Sequence, residues 1–219
     1  GAHHLLWAPV PYWLKTIAVA ESIGMILPVV AFMMNIYLTM RGNWNRFFAS
    51  IPLRFVITGW AAYVLVSYQG SHQALRGINL LTHFTQYVPG HAHLSLLFFA
   101  ASVIMGAAYY IIPRVYDCHL YSRRVADVQY VVYVVGFTFF FGGFLLTGLV
   151  QGTNWLHQGL PIWSVLPGLR PYMALRAAGG ALVVTSFALF TFNILATVRQ
   201  RQPITRPAGS LSAAAPAAA

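Results

Sequence analysis

Four histidines occupy positions that suit metal ligation. His3 and His4 are adjacent, and His91 and His93 stand two apart in the stretch GHAH. With roughly 3.6 residues per helical turn, a two-residue separation turns the side chains about 200° apart, so His91 and His93 should point to opposite faces of a helix. Imidazole is a good ligand for copper, iron and zinc. The pattern predicts two metal centres on one helix; the alternative is a pair of structural histidines bonded to neighbouring helices.

Glu21 is an acidic residue inside an otherwise apolar stretch. In the membrane helices predicted below, Glu21 lies about 15 Å and His91 about 14 Å from the outer end of its helix, counting about 1.5 Å per residue. Glu21 is therefore a candidate proton carrier or a carboxylate beside the metal. The alternative is a protonated carboxyl, or one paired with a lysine or arginine near the membrane edge.

These side chains must be positioned by membrane helices. Of 219 residues, 58% are hydrophobic and 7% are charged, whereas soluble domains carry about 25% charged residues. A helix needs about 20 apolar residues to cross a bilayer. The sequence predicts an all-α transmembrane bundle over residues 1–198 with five spans, followed by a disordered tail over residues 199–219. The predicted spans cover residues 11–40, 53–75, 82–113, 126–152 and 172–198.

The basic residues predict the orientation of the chain. The net charge of +10 would suggest nucleic acid for a soluble protein, but basic residues between membrane spans collect on the cytoplasmic side. Nine arginines follow the first, third and fifth spans, and four basic residues lie on the alternate side. The C-terminal tail is thus predicted to be cytoplasmic, with no nucleic-acid partner. The four basic residues on the alternate, outer side are Lys15, Arg76, Arg170 and Arg176.

Several motifs in order carry a resemblance to a known family. GAHHLLW is followed 88 residues later, counted from His3 to His91, by GHAHL. Four further stretches match at predicted helix ends: MMNIYLTMRGNW ends the first helix, AAYYIIPR the third and LVQG the fourth, and LRAAGGAL begins the fifth. Over residues 1–198 the chain resembles the C-terminal half of the catalytic subunit of haem–copper oxidases, in particular the cbb3-type cytochrome c oxidase. The resemblance implies the last five helices of a twelve-helix fold.

The resemblance also implies ligands and a reaction. His3 and His4 would bind the copper called CuB, His91 would be the proximal ligand of a high-spin haem, and His93 would bind a low-spin haem on the other face. The implied cofactors are two b-type haems and copper. The implied reaction is reduction of dioxygen to water with protons taken from the cytoplasm, in a respiratory chain of the bacterial cytoplasmic membrane.

Further residues are expected near the haems: one is implied by the same resemblance, and three are inferred from their position on the outer side. His83 would lie near a haem propionate. The outer-side arginines Arg76, Arg170 and Arg176 would be cationic partners of propionates, which form strong charge-assisted hydrogen bonds with guanidinium groups.

The chain also departs from the family pattern. The third CuB histidine, the cross-linked tyrosine and the other low-spin haem ligand lie upstream of the stretch that this sequence matches. The chain is therefore expected to be a fragment or one piece of a split subunit. Its partners would be the segment supplying the missing N-terminal helices and c-type cytochrome subunits. Gln69 stands where cbb3-type enzymes usually carry Glu, and Gln86 replaces a usual Asp.

Three other functions stay open at this stage. Nitric oxide reductases resemble this family, use iron in place of copper, and carry a Glu on the first of these helices at the position of Met25, one turn from Glu21. Gln86 is also closer to the reductase pattern. The second alternative is a membrane cytochrome b that transfers electrons without catalysis, and the third is a transporter or channel, which would contain no haem.

Overall fold

Five long helices dominate the structure, a computed structural model that describes residues 2–200, with side chains from residue 5 onward. Each is long and apolar enough to cross a membrane, so the predicted all-α bundle is confirmed. We call them the first to fifth spans. They are Tyr12–Met40, Ile51–Gln73, Tyr87–Val115, Arg123–Gln158 and Ile162–Gln200.

The first span is interrupted in its middle. It consists of Tyr12–Gly24 and Ile26–Met40, which meet at Met25. Pro28 explains the interruption, because proline has no N–H with which to bond the carbonyl of Gly24 one turn earlier. The sequence predicted one unbroken helix here. A short 3-10 helix, Ala2–Trp7, precedes the span.

The third span begins later than predicted. A short helix, Arg76–Thr82, precedes it, and His83 is extended while Phe84 has a positive φ of 63°. The Thr85 hydroxyl donates to the carbonyl of Thr82 at 2.7 Å and accepts from the N–H of Tyr87 at 3.2 Å. Threonine hydroxyls compete with helical hydrogen bonds in this way, so the predicted start at Thr82 is wrong.

The fourth and fifth spans pack together more extensively than any other pair. A Cβ atom on Gly179 would lie 2.2 Å from the backbone nitrogen of Phe140, and one on Gly143 would lie 2.7 Å from that of Arg176. Only glycine permits such close backbone approach. These two positions therefore fix the spacing of the pair.

The predicted outer loop over residues 153–171 is mostly helical. The fourth span continues to Gln158, and only residues 159–161 separate it from the fifth. Gly159 ends the fourth span with a φ of 60°. The fifth span continues through Pro167 and Pro171. Val165 and Leu169, one turn apart, are buried in this stretch, so this part of the helix packs against the rest of the protein.

Candidate functional site

His91 lies in the second helical turn of the third span and faces the second span. Its Nδ1 is 3.3 Å from Oε1 of Gln69, which is buried. A Cβ atom on Gly70 would lie 3.2 Å from Cε1 of the His91 ring. The second span thus offers the His91 imidazole a hydrogen-bond acceptor beside a flat backbone surface. Because the third span begins at Tyr87, His91 is only about 6 Å along its helix, not the predicted 14 Å.

A cavity of about 670 Å³ lies between the first, second and third spans. His91 and Glu21 both line it, although Glu21 is on the first span and His91 on the third. Glu21 and His91 thus line the same cavity, although the helix ends used for the depth count differ from the observed ones. The cavity contacts the interruption of the first span at Gly24 and Met25, so the helix break shapes one of its walls.

His93 faces the fourth span. Its Nδ1 is 2.7 Å from the carbonyl oxygen of Pro89. The ring stacks on Phe144, with centroids 5.0 Å apart and planes at 26°, and meets the edge of Phe140 at 5.2 Å. The two histidines therefore have different neighbours, His91 on the second span and His93 on the fourth. This confirms the prediction that they point to opposite sides of one helix.

Arg176, on the fifth span, is associated with the His93 side of the third span. Its guanidinium carbon lies 4.8 Å from the centre of the Phe144 ring. Its Nη1 donates to Oε1 of Gln86 at 2.7 Å, and the backbone N–H of Gln86 donates to Oε1 of Gln151 at 3.0 Å. Gln86 therefore links the arginine of the fifth span to the start of the third.

Trp7 docks the N-terminal segment on the approach to the third span. Its indole Nε1 donates to Oδ1 of Asn79. Its ring stacks on His83, with centroids 5.0 Å apart and planes at 5°. The segment just after His3 and His4 is thus fixed close to the His91 helix. The side chains of His3 and His4 themselves, the predicted copper ligands, lie outside the described residues.

The other predicted arginines occupy separate places. The Nη2 of Arg76 donates to Oγ1 of Thr16 at 2.6 Å, and its guanidinium lies 4.4 Å from the ring centre of Tyr12. Arg76 therefore contacts the N-terminal end of the first span. Arg170 is exposed on the fifth span. The described side chains do not bring Arg76 and Arg176 to one partner.

The described side chains contain no cluster of three or more His, Cys, Asp or Glu residues. His91 and His93 instead stand apart from each other, with the second span beside His91 and the fourth beside His93.

The sequence matches the family model described as "Cytochrome C and Quinol oxidase polypeptide I" over residues 1–182. This chain belongs to that family. The chain is 25% identical to a cytochrome c oxidase subunit 1 homolog of Azorhizobium caulinodans, over 98% of this chain and 40% of the relative. It is also 25% identical to the cbb3-type cytochrome c oxidase subunit CcoN1 of Stutzerimonas stutzeri, over 93% of this chain and 44% of the relative.

A solved structure shares the fold of this chain. It is a heme-copper terminal oxidase dimer determined by cryo-electron microscopy, with a TM-score of 0.74 and 20% sequence identity. The match covers 93% of this chain and 40% of that chain. The chain is thus a multi-pass membrane protein that spans about two fifths of the length of the relatives it matches.

Membership of this family implies haem and copper as cofactors, and the described histidines fit iron ligation. The Nδ1 atoms of His91 and His93 each face a carbonyl oxygen. A carbonyl only accepts, so Nδ1 carries the proton and Nε2 is the nitrogen with the lone pair. Histidines that bind metals commonly make this second hydrogen bond, which fixes the ring and its tautomer.

Three contacting residues were not predicted for these roles. Gln69 supports His91, Phe144 stacks on His93, and Trp7 docks the N-terminal segment. Gln69 carries a sequence signal, since an amide side chain in an apolar span needs a buried partner. Phe144 belongs to the phenylalanine-rich fourth span, and only the packing distinguishes it from its neighbours.

Proposed function

We propose that this chain forms the C-terminal part of the catalytic subunit of a haem–copper terminal oxidase that reduces dioxygen to water in an aerobic respiratory chain. One observation carries the proposal. His91 and His93 leave the same helix toward different helices, and the Nδ1 of each is held by a carbonyl acceptor. This arrangement suits one helix that serves two irons.

The described histidines have distinct proposed roles. His91 would be the proximal ligand of a high-spin haem, and His93 an axial ligand of a low-spin haem. Both groups would be b-type haems. When bound, haem and copper would supply the electron transfer and the oxygen chemistry. The protein's contribution is the orientation of each ring, by Gln69 for His91 and by Pro89 and Phe144 for His93.

The copper ligands would be His3 and His4. The contacts of Trp7 with Asn79 and His83 support this role, because they fix the segment that follows the pair beside the approach to the His91 helix. His83 remains a candidate neighbour of a haem propionate, with its ring held by Trp7.

Glu21 is proposed to carry protons to or from the cavity that His91 lines. Its carboxyl is exposed in the isolated chain and reaches this cavity from the first span. Arg176 lies nearest the His93 side and is the arginine best placed for a propionate of the low-spin haem. Arg76, at the start of the helix Arg76–Thr82, and Arg170, exposed on the fifth span, have no described contact with the His93 side and are weaker candidates for the same role.

The remaining helices and subunits belong to the proposal as well. The chain spans about 40% of its first relative, so a further segment would supply the N-terminal helices with the missing ligands. Subunits with c-type cytochromes would deliver electrons. The proposed location is the bacterial cytoplasmic membrane, with the C-terminus in the cytoplasm according to the distribution of arginines.

Nitric oxide reduction is the second candidate. The presence of Glu21 in the same cavity as His91 favours it, because a carboxylate is a suitable ligand for iron. In this case, iron would replace copper beside the high-spin haem.

Metal analysis and optical spectroscopy of the purified assembly test the proposal. We expect haem iron, copper, and a shift of the reduced spectrum on addition of carbon monoxide. His91→Ala should remove the carbon monoxide shift and His93→Ala the low-spin bands, while His157→Ala, at an exposed position, should change neither. An active assembly with a Cu:Fe ratio near zero would favour the reductase. Haem bands without a carbon monoxide shift would indicate a non-catalytic cytochrome b.

A further inference from the structure

The third span changes its helix type directly after His93. Leu94–Ala100 is π-helical and joins the α-helices Tyr87–His93 and Ala101–Val115. In a π-helix each N–H bonds to the carbonyl five residues earlier, and such segments are often found at functional sites. Accordingly, the N–H of Ala101 bonds to the carbonyl of Leu96. The carbonyl of Leu97, its acceptor in a regular α-helix, loses that donor.

Tyr133 of the fourth span supplies a donor at this point. Its hydroxyl donates to the carbonyl of Leu97 and lies 3.4 Å from that of Phe98. The Oγ of Ser102 donates back to the tyrosine hydroxyl at 3.1 Å. The side chain of Tyr133 is completely buried. One hydroxyl thus contacts both the π-helical turn and the α-helix that follows it.

The ring of Tyr133 is independently held by packing. It lies against Phe55 of the second span, Phe98 of the third and Phe187 of the fifth, with centroids 5.5 to 6.1 Å apart. The hydroxyl therefore has little freedom to move away from Leu97. A buried hydroxyl in an apolar surrounding needs such a partner, and so does a backbone carbonyl that has lost its usual donor in the helix.

We propose that Tyr133 is a positioning residue that keeps the third span π-helical after His93. An extra residue per turn rotates the following helix by about 100° relative to a continuous α-helix. Tyr133 thereby couples the segment carrying His91 and His93 to the part of the span that packs on the second and fourth spans. The link to iron rests on the proposed function; the support of the π-helix does not.

Tyr130 provides a matched control on the same helix. Its hydroxyl is 2.8 Å from Oγ1 of Thr58 and connects the fourth span to the second. It contacts no carbonyl of the π-segment among the hydrogen bonds of the described residues. Tyr130→Phe therefore removes an interhelical hydroxyl bond of the same chemistry without affecting Leu94–Ala100.

Hydrogen exchange of the assembled protein is the first test. In Tyr133→Phe we expect the amides of residues 98–103 to exchange roughly 2- to 10-fold faster, as expected for loss of one buried hydrogen bond. Tyr130→Phe should leave these amides unchanged. Ser102→Ala keeps the bond to Leu97 and should give a smaller increase than Tyr133→Phe. Unchanged rates in Tyr133→Phe, an equal increase in Tyr130→Phe, or an equal effect of Ser102→Ala would overturn the proposal.

The electron paramagnetic resonance spectrum of the low-spin iron is the second test, since its g-values report the orientation of the ligand rings. A change in Tyr133→Phe with none in Tyr130→Phe supports the coupling to His93. An unchanged spectrum in Tyr133→Phe contradicts it. If the assembly contains no haem, the proposed function fails, and the exchange rates still decide whether Tyr133 supports the π-segment.

Discussion

The imidazole of His93 stacks on the ring of Phe144, with centroids 5.0 Å apart and planes at 26°. The same phenylalanine lies 4.8 Å from the guanidinium of Arg176 and touches the backbone of the third span at Gly90. Phe144 therefore connects a candidate iron ligand to a cation on another helix, although it carries no polar atom itself.

Replacement of Phe144 should alter the low-spin centre. We expect Phe144→Leu to lose about 0.5 to 1.5 kcal/mol of aromatic interaction, to loosen the His93 ring, and to shift the midpoint potential of the low-spin haem. Phe139→Leu, at a more exposed position on the same span, is the control. A redox titration followed at the low-spin bands measures the effect. Equal potentials in both variants would contradict the role of Phe144.

Gln69 should control how firmly His91 holds iron. Gln69→Leu removes the acceptor of the His91 Nδ1 proton. Removing the hydrogen-bond partner of a metal-binding histidine typically lowers metal affinity by roughly 10- to 100-fold. We therefore expect faster loss of the high-spin haem and a smaller carbon monoxide signal. Gln69→Glu keeps an oxygen acceptor and should retain the haem. If both variants lose it equally, the hydrogen bond is not the cause.

Gly90 should tolerate no side chain. A Cβ atom there would lie 2.8 Å from Cβ of Phe144, so Gly90→Ala must push the third and fourth spans apart. We expect destabilisation of about 1 to 3 kcal/mol with weakened low-spin bands. Gly77→Ala is the control, because a Cβ atom at Gly77 meets nothing within 4 Å. Thermal denaturation compares the two; a stable Gly90→Ala would show that the helices can separate at little cost.

Trp7 should affect copper more than haem. Trp7→Leu removes both the hydrogen bond to Asn79 and the stacking on His83, so the segment after His3 and His4 is released. We expect about a tenfold loss of copper affinity with haem content maintained, measured as the metal ratio of the purified assembly. Trp163→Leu replaces an exposed tryptophan and should change nothing. Loss of haem together with copper would mean that Trp7 supports the fold as a whole.

The sequence predicted the elements of this fold well and their ends less well. The number of spans follows from apolar length alone, and the opposite orientation of His91 and His93 follows from helical geometry. The interruption at Met25 could have been read from Pro28. The delayed start at Tyr87 depends on the positive φ of Phe84, which no local residue preference indicates.

The supporting residues of the site were harder to predict because they depend on packing between distant segments. Gln69 lies 22 residues from His91, and Trp7 lies 72 from Asn79. The π-helix after His93 has no recognisable sequence pattern, and its partner Tyr133 is 36 residues from Leu97. Such contacts are set by how the spans fit together and not by the spacing within one span.

The short link between the last two spans has a consequence for biogenesis. Residues 159–161 are all that separates them, and glycines at their interface permit backbone contact along both helices. We expect the two to leave the insertion machinery as a preassembled hairpin, on which earlier helices dock afterwards. Lengthening this link should delay maturation of the complex while leaving the finished protein unchanged.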